Sequence, residues 1–93
     1  MQQSLVRLII HGRVQGVGYR AWAVDEARRL DLSGWVRNRR EGTVELVARG
    51  LETDVERLIE ACQRGPAGAQ VTRIERAAAE DDGGQGFHHR PTA

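Results

Sequence analysis

Lysine is absent from this chain, and all fourteen of its basic residues are arginine. That absence removes any lysine nucleophile, Schiff base or Walker-type phosphate lysine from the available chemistry. A single cysteine, Cys62, has no partner for an intramolecular disulfide, which fits a reducing compartment. Only four residues are aromatic: Tyr19, Trp22, Trp35 and Phe87. The core must therefore rest on Val, Leu, Ile and Ala. Nor is there an excess of charge of either sign. A net charge of +1 excludes a general polyanion binder, because counterion-driven affinity needs a concentrated basic face. No apolar stretch approaches the length of a membrane span. The first ten residues have neither a basic start nor a long apolar run, so no secretory leader is expected and the expected setting is the cytoplasm.

What is present is enough for one domain, 1–93, just above the size at which a single apolar core becomes hard to build. Residues 1–4 and 91–93 are expected as loose ends. The pattern predicts a strand over Leu5–His11, a glycine-rich loop over Gly12–Gly18, and a helix from about Tyr19 to Leu30. In that helix Ala23, Ala27 and Leu30 share one face, and Asp31 ends it in a left-handed conformation. Strands are expected over Ser33–Asn38 and Thr43–Arg49, joined as a hairpin through Arg39-Arg40-Glu41-Gly42, with Gly50 stopping the second of them. A second helix should be capped by Thr53 or Glu52, with Glu56 completing a capping box, and should stop before Gly65-Pro66. It puts Val55, Leu58, Ile59 and Cys62 at core spacing, which makes Cys62 a small buried apolar residue. Gln70–Ala78 reads as a strand, Glu80–Gly86 as a mobile loop, and Phe87–Arg90 as a possible short fifth edge strand limited by Pro91. Each helix has one apolar stripe, so both should cover one face of a mostly antiparallel sheet. The order βαββαβ defines an α+β, ferredoxin-like split βαβ sandwich. The fold alone specifies no function.

The chemistry concentrates in Gly12-Arg13-Val14-Gln15-Gly16-Val17-Gly18-Tyr19-Arg20, which joins a buried strand to a helix N-terminus. Unpaired N–H groups and the positive end of the helix dipole favour an anion there. Glycines allow successive N–H groups to converge into an anion nest. Arg20 adds a planar fork suited to two phosphate oxygens. Many glycine-rich turns of this kind bind nothing. A cation in the first helical turn, however, opposes the dipole unless an anion compensates. Asn38, at the end of a strand, reads on local grounds as a turn residue serving the hairpin.

Two segments carry a family resemblance that adds to this reading. Ile10-His11-Gly12-Arg13-Val14-Gln15-Gly16-Val17-Gly18-Tyr19-Arg20 resembles the first signature of the acylphosphatase family. Gly34-Trp35-Val36-Arg37-Asn38, followed by Gly42, Val44 and Gly50, resembles the second. The likeness extends over nearly the whole chain in length and element order. It implies a hydrolase that splits the carboxyl–phosphate anhydride of small acyl phosphates and releases inorganic phosphate. By that resemblance Arg20 would bind the phosphate, and Asn38 would orient the attacking water. The backbone of Gln15, Gly16, Val17, Gly18 and Tyr19 would form the cradle. No metal, cofactor or covalent phosphoenzyme is implied.

The chain departs from the family pattern at a few positions. Tyr19 stands where Phe or Met is usual, Asp31 replaces a common Gly, and His89 lies where an apolar residue is usual. His88 and His89 would face opposite ways on a strand, so they do not suggest one shared ion, and a solvated tail is expected there. His11 is expected to be structural. The alternative function is a non-catalytic phosphate-binding or regulatory module on the same fold, as acylphosphatase-like domains also occur within larger maturation proteins. The short length points instead to a free monomeric enzyme. An RNA-binding sheet would need exposed aromatics, and the strands Leu5–His11 and Thr43–Arg49 contain none. Neither a nucleic acid nor a membrane partner is expected.

Overall fold

A computed structural model describes residues 2–93. Its elements are β1 (Gln3–Arg13), α1 (Tyr19–Arg29), β2 (Ser33–Asn38), β3 (Val44–Leu51), α2 (Glu52–Arg64), β4 (Gln70–Ala78) and β5 (Phe87–His89). The strands form one sheet in the order β4-β1-β3-β2-β5, antiparallel throughout except for the parallel pair β2–β5. This is the expected ferredoxin-like βαββαβ sandwich, with the fifth strand present at the edge.

Period-two alternation builds the core. Val6, Leu8 and Ile10 of β1, and Val44, Leu46 and Ala48 of β3, are buried beneath Ala23, Val24 and Ala27 of α1 and Val55, Leu58 and Cys62 of α2. Burial pushes the Cys62 thiol up to about 12, so it remains an un-ionised apolar side chain. The other sheet face mixes apolar residues such as Val47 with a buried carboxylate. Glu45, 3% exposed, accepts from Arg7 Nε at 2.5 Å, Arg37 Nε at 2.7 Å and Arg39 Nη1 at 3.3 Å. Burial penalises its carboxylate, yet the arginine hydrogen bonds and charges outweigh that and hold the carboxyl below its ordinary value. His11 is committed on the outside of the sheet, 2.5 Å from Glu75.

Several boundaries differ from the sequence expectation. β3 continues through Gly50 to Leu51, because Ser4 and Gln3 of β1 pair with those two residues. Gly50 therefore does not stop the strand. α2 starts at Glu52 directly after Leu51, and no side chain caps it, so neither Thr53 nor Glu52 acts as the cap expected. Asp31 does adopt the left-handed conformation, with φ 58°.

The ends expected to be loose at 1–4 and 91–93 are also corrected. Gln3 and Ser4 belong to β1, whereas Met1 lies outside the described residues. The Ala93 N–H donates to the Asn38 carbonyl at 3.1 Å, and the Arg40 N–H donates to the Ala93 carbonyl at 2.9 Å. The unpaired edge of β2 offers these backbone partners, and a chain running beside it satisfies them.

β5 is held by more than its ladder. Phe87 is fully buried, its carbonyl accepts from Arg28 Nε at 3.1 Å, and Arg90 stacks on Trp35 with its guanidinium 4.5 Å from the ring centroid. Arg37 lies over the same indole at 4.8 Å. Residues 87–89 thus form the short fifth edge strand read as possible from the sequence, and His88 and His89 are exposed on it.

Candidate active site

The site forms at the end of the sheet where β2 finishes and α1 begins. Asn38 pairs with Val44, and Val44 pairs with Ile10, so these three positions lie in line across β2, β3 and β1. Two strand spacings separate Ile10 from Asn38, about 10 Å. β1 runs on to Arg13, so Gly12 and Arg13 belong to the strand and not to the loop expected from Gly12, and the remaining loop, 14–18, spans that gap over the start of β3. Its clamp is the Gln15 side chain, whose Nε2 donates to the Arg39 carbonyl at 2.7 Å and to the Thr43 carbonyl at 2.9 Å. Gln15 therefore fixes the loop to the hairpin beside Asn38 through its side chain.

Gly16 and Gly18 both have positive φ, 74° and 79°. That backbone shape lets neighbouring N–H groups converge, and side chains with a Cβ resist it. Tyr19 opens α1 with its ring buried and its hydroxyl donating to the Cys62 carbonyl at 2.5 Å. Burial raises the phenol above its ordinary value, so the hydroxyl stays protonated and anchors the helix start to α2. The first turn of α1 contains no acidic residue. Arg20 has no carboxylate partner among the described residues, whereas Arg7, Arg37 and Arg39 all share Glu45.

A cavity of about 160 Å³ lies between these elements, lined by Val14, Gly16, Gly18, Tyr19, Arg20, Ala21, Asn38 and His89. It is smaller than the roughly 300–1,000 Å³ of drug-sized ligand pockets, and it suits a compact anion. Of the residues picked out by sequence, Gly16, Gly18, Tyr19, Arg20 and Asn38 meet at this cavity. Gln15 stands behind it as the clamp, and Val17 is half-buried, packed against the core next to Gly68 and away from the cavity lining. The lining residues missed by sequence are Ala21 and His89, and His89 also borders a second depression of about 310 Å³ around Trp35 and His88. The only signal for His89 was an imidazole at a position where the family pattern has an apolar residue. A depression of about 340 Å³ by Gln2, Leu51, Glu52 and Thr53 gathers no groups suited to phosphoryl chemistry. Among the described residues no cluster of His, Cys, Asp and Glu could hold a metal ion.

Fold and site together define an α+β sandwich with a compact, arginine-bearing cavity at one sheet end. The acylphosphatase family model matches residues 6–89. An acylphosphatase of Azorhizobium caulinodans is 60% identical over 83 residues, covering 88% of this chain and 89% of that protein. The crystal structure of acylphosphatase from Bacillus subtilis superposes with a TM-score of 0.89 at 36% identity, covering 96% of this chain and 99% of that one. Full-length HypF in its phosphate- and nucleotide-bound form matches with a TM-score of 0.88 at 25% identity, over 98% of this chain but 12% of HypF. This chain belongs to the acylphosphatase family.

Proposed function

We propose that the protein hydrolyses small acyl phosphates to a carboxylate and inorganic phosphate at the cavity beside Arg20 and Asn38. The observation that carries this reading is the meeting, in one small cavity, of an unpaired arginine, a glycine-rich helix entry and a strand-end amide. Arg20 grips the phosphoryl oxygens with its planar fork, and the backbone from Gln15 to Tyr19 completes the cradle. Asn38 orients the attacking water. The leaving group is a carboxylate, whose conjugate acid titrates near pH 4, so no strong general acid is needed. Positioning and charge stabilisation supply most of the rate, as is general in phosphoryl transfer. No metal, cofactor or phosphoenzyme enters this route.

Benzoyl phosphate incubated with the protein and a chelator should release inorganic phosphate. A protein that binds phosphate but shows no turnover above background would be a regulatory module instead. The reading includes a single domain working as a monomer in the cytoplasm, which light scattering and cell fractionation test directly. Among the described residues no helix is long and apolar enough to cross a membrane.

A further inference from the structure

We propose that His89, when protonated, is a second cationic ligand of the cavity beside Arg20, so that the site holds a compact dianion more tightly as the pH falls. The inference rests on the reading of that cavity as a phosphate site given above, and it concerns binding rather than the chemical step. The family pattern has an apolar residue at this position, so hydrolysis itself calls for no imidazole there. What the imidazole adds is charge. Arg20 and the positive end of α1 together present about one and a half elementary charges, fewer than a dianion carries. A protonated ring beside them makes up the difference, and a neutral ring does not.

The sheet delivers the ring to that place. β5 runs parallel to β2, with Phe87 opposite Gly34 and His89 opposite Val36. Alternation turns Phe87 and His89 to one face and His88 to the other. Phe87 and Val36 are fully buried in the core, so His89 lies on the core side of the sheet, at the end where the core gives way to the cavity. It lines that cavity together with Arg20 and Asn38. The other two histidines are engaged elsewhere, His11 with Glu75 and His88 with the Gln85 carbonyl at 2.7 Å. Among the described residues the His89 ring has no such partner. It is exposed, so protons reach it from solvent. Burial of Phe87 and the bond from Arg28 to the Phe87 carbonyl fix the strand that carries it.

The charges around the ring come from each element packed about it. α1 presents Arg20 in the cavity and Arg28 at the Phe87 carbonyl. β2 presents the neutral amide of Asn38, while Arg37 lies over Trp35 on the opposite face. The loop before α1 adds only the uncharged Val14, Gly16 and Gly18. Ahead of β5, Asp82 borders the neighbouring depression that His89 also lines, and Arg90 Nη2 donates to its carboxylate at 2.6 Å. Beyond β5, residues 91–93 carry no charged side chain, and Ala93 is tied to Asn38 and Arg40 by backbone bonds. No carboxylate lines the cavity itself, so nothing in its wall neutralises an imidazolium before an anion arrives. A bound dianion favours the charged ring, and the charged ring favours the dianion. Anion binding and proton uptake are therefore coupled in both directions. Affinity rises as the pH falls through the histidine range, and binding takes up protons there. In acid the enzyme is accordingly inhibited more strongly by its own phosphate product.

Sulfate is the probe, because it stays a dianion from pH 5 to 8 whereas inorganic phosphate gains a proton of its own in that range. Its affinity is measured by isothermal titration calorimetry at both pH values, in buffers of different ionisation enthalpy, for the parent, His89→Gln, His89→Ile and His88→Gln. Competitive inhibition of benzoyl phosphate hydrolysis by sulfate shows that the ion occupies the cavity. The parent should bind sulfate about 10-fold more tightly at pH 5 than at pH 8, the effect of one added unit charge a few ångströms from a dianion in watery surroundings. In the middle of that range its binding should take up protons from the buffer. Both His89 variants should lose most of the gain and the proton uptake, and His88→Gln should keep them. An equal sulfate affinity of the parent at the two pH values would overturn the proposal. So would a parent-like gain in His89→Gln, or loss of the gain in His88→Gln instead. With benzoyl phosphate still hydrolysed, each of these results leaves the Arg20–Asn38 reading intact. A parent that neither binds sulfate nor hydrolyses benzoyl phosphate overturns that underlying reading and this inference with it. Loss of fold in one His89 variant, seen by circular dichroism, leaves the other variant and the parent's own proton uptake to decide.

Discussion

The two helices of this molecule begin in opposite ways. α2 has Glu52 and Asp54 in its first turn, so the positive end of its dipole is neutralised within the chain. α1 has no acidic residue there and carries Arg20 instead, next to glycines with positive φ. Both helices sit in equivalent halves of a split βαβ fold, and both end in basic residues, Arg28 and Arg29 in one and Arg64 in the other. The second start is arranged for stability. The first leaves an electrostatic demand open, of the kind an anion can meet. The same contrast holds among the arginines: three are consumed by Glu45 on the sheet face, while Arg20 faces a cavity.

The comparison can be broken or sharpened by substitution, in order of expected effect. Arg20→Lys should lower kcat/KM for benzoyl phosphate by about 10³-fold, since a point charge cannot reproduce a two-pronged contact. Its melting temperature should stay near the parent's; parent-like activity would show that the fork is not used. Asn38→Ala should lower kcat by about 10²-fold with little change in inhibition by phosphate, and equal losses in both would move Asn38 from water positioning to binding. Ala21→Glu gives α1 the acidic first turn that α2 has. It should weaken phosphate inhibition about 10-fold while raising stability by about 0.5 kcal/mol, two effects of opposite sign from one charge. Tighter phosphate inhibition in that variant would contradict an anion site at the α1 start. The smallest effect is expected from Glu52→Gln with Asp54→Asn, which should destabilise by about 1 kcal/mol, or some 4–8 °C in Tm, with benzoyl phosphate turnover unchanged.

Much of this arrangement was legible in the sequence because its causes are local. Alternating Val44, Leu46 and Ala48 face one side of a strand whatever surrounds them. Ser33–Asn38 and Gln70–Ala78 match the observed strands residue for residue. The left-handed Gly16 and Gly18 and the cation Arg20 at a helix start were legible too, as matters of backbone freedom and residue type. The extension of β3 past Gly50 was not legible, because it depends on β1 residues Gln3 and Ser4 some 47 positions away. Asn38 looked locally like a turn residue. Only its position across the sheet from the 14–18 loop brings it to the cavity.

By itself, then, the sequence determined the element order, the apolar faces and the presence of an unneutralised cation at the start of α1. These follow from side-chain periodicity and backbone propensity within a few residues. Tertiary structure alone decided what meets that cation. Gln15 reaches across 28 residues to the Thr43 carbonyl, and β5 docks parallel to β2 so that His89 arrives beside Asn38. Such contacts exist only after the intervening loops have closed and the core has packed, and no short-range pattern encodes which edge a three-residue strand will join.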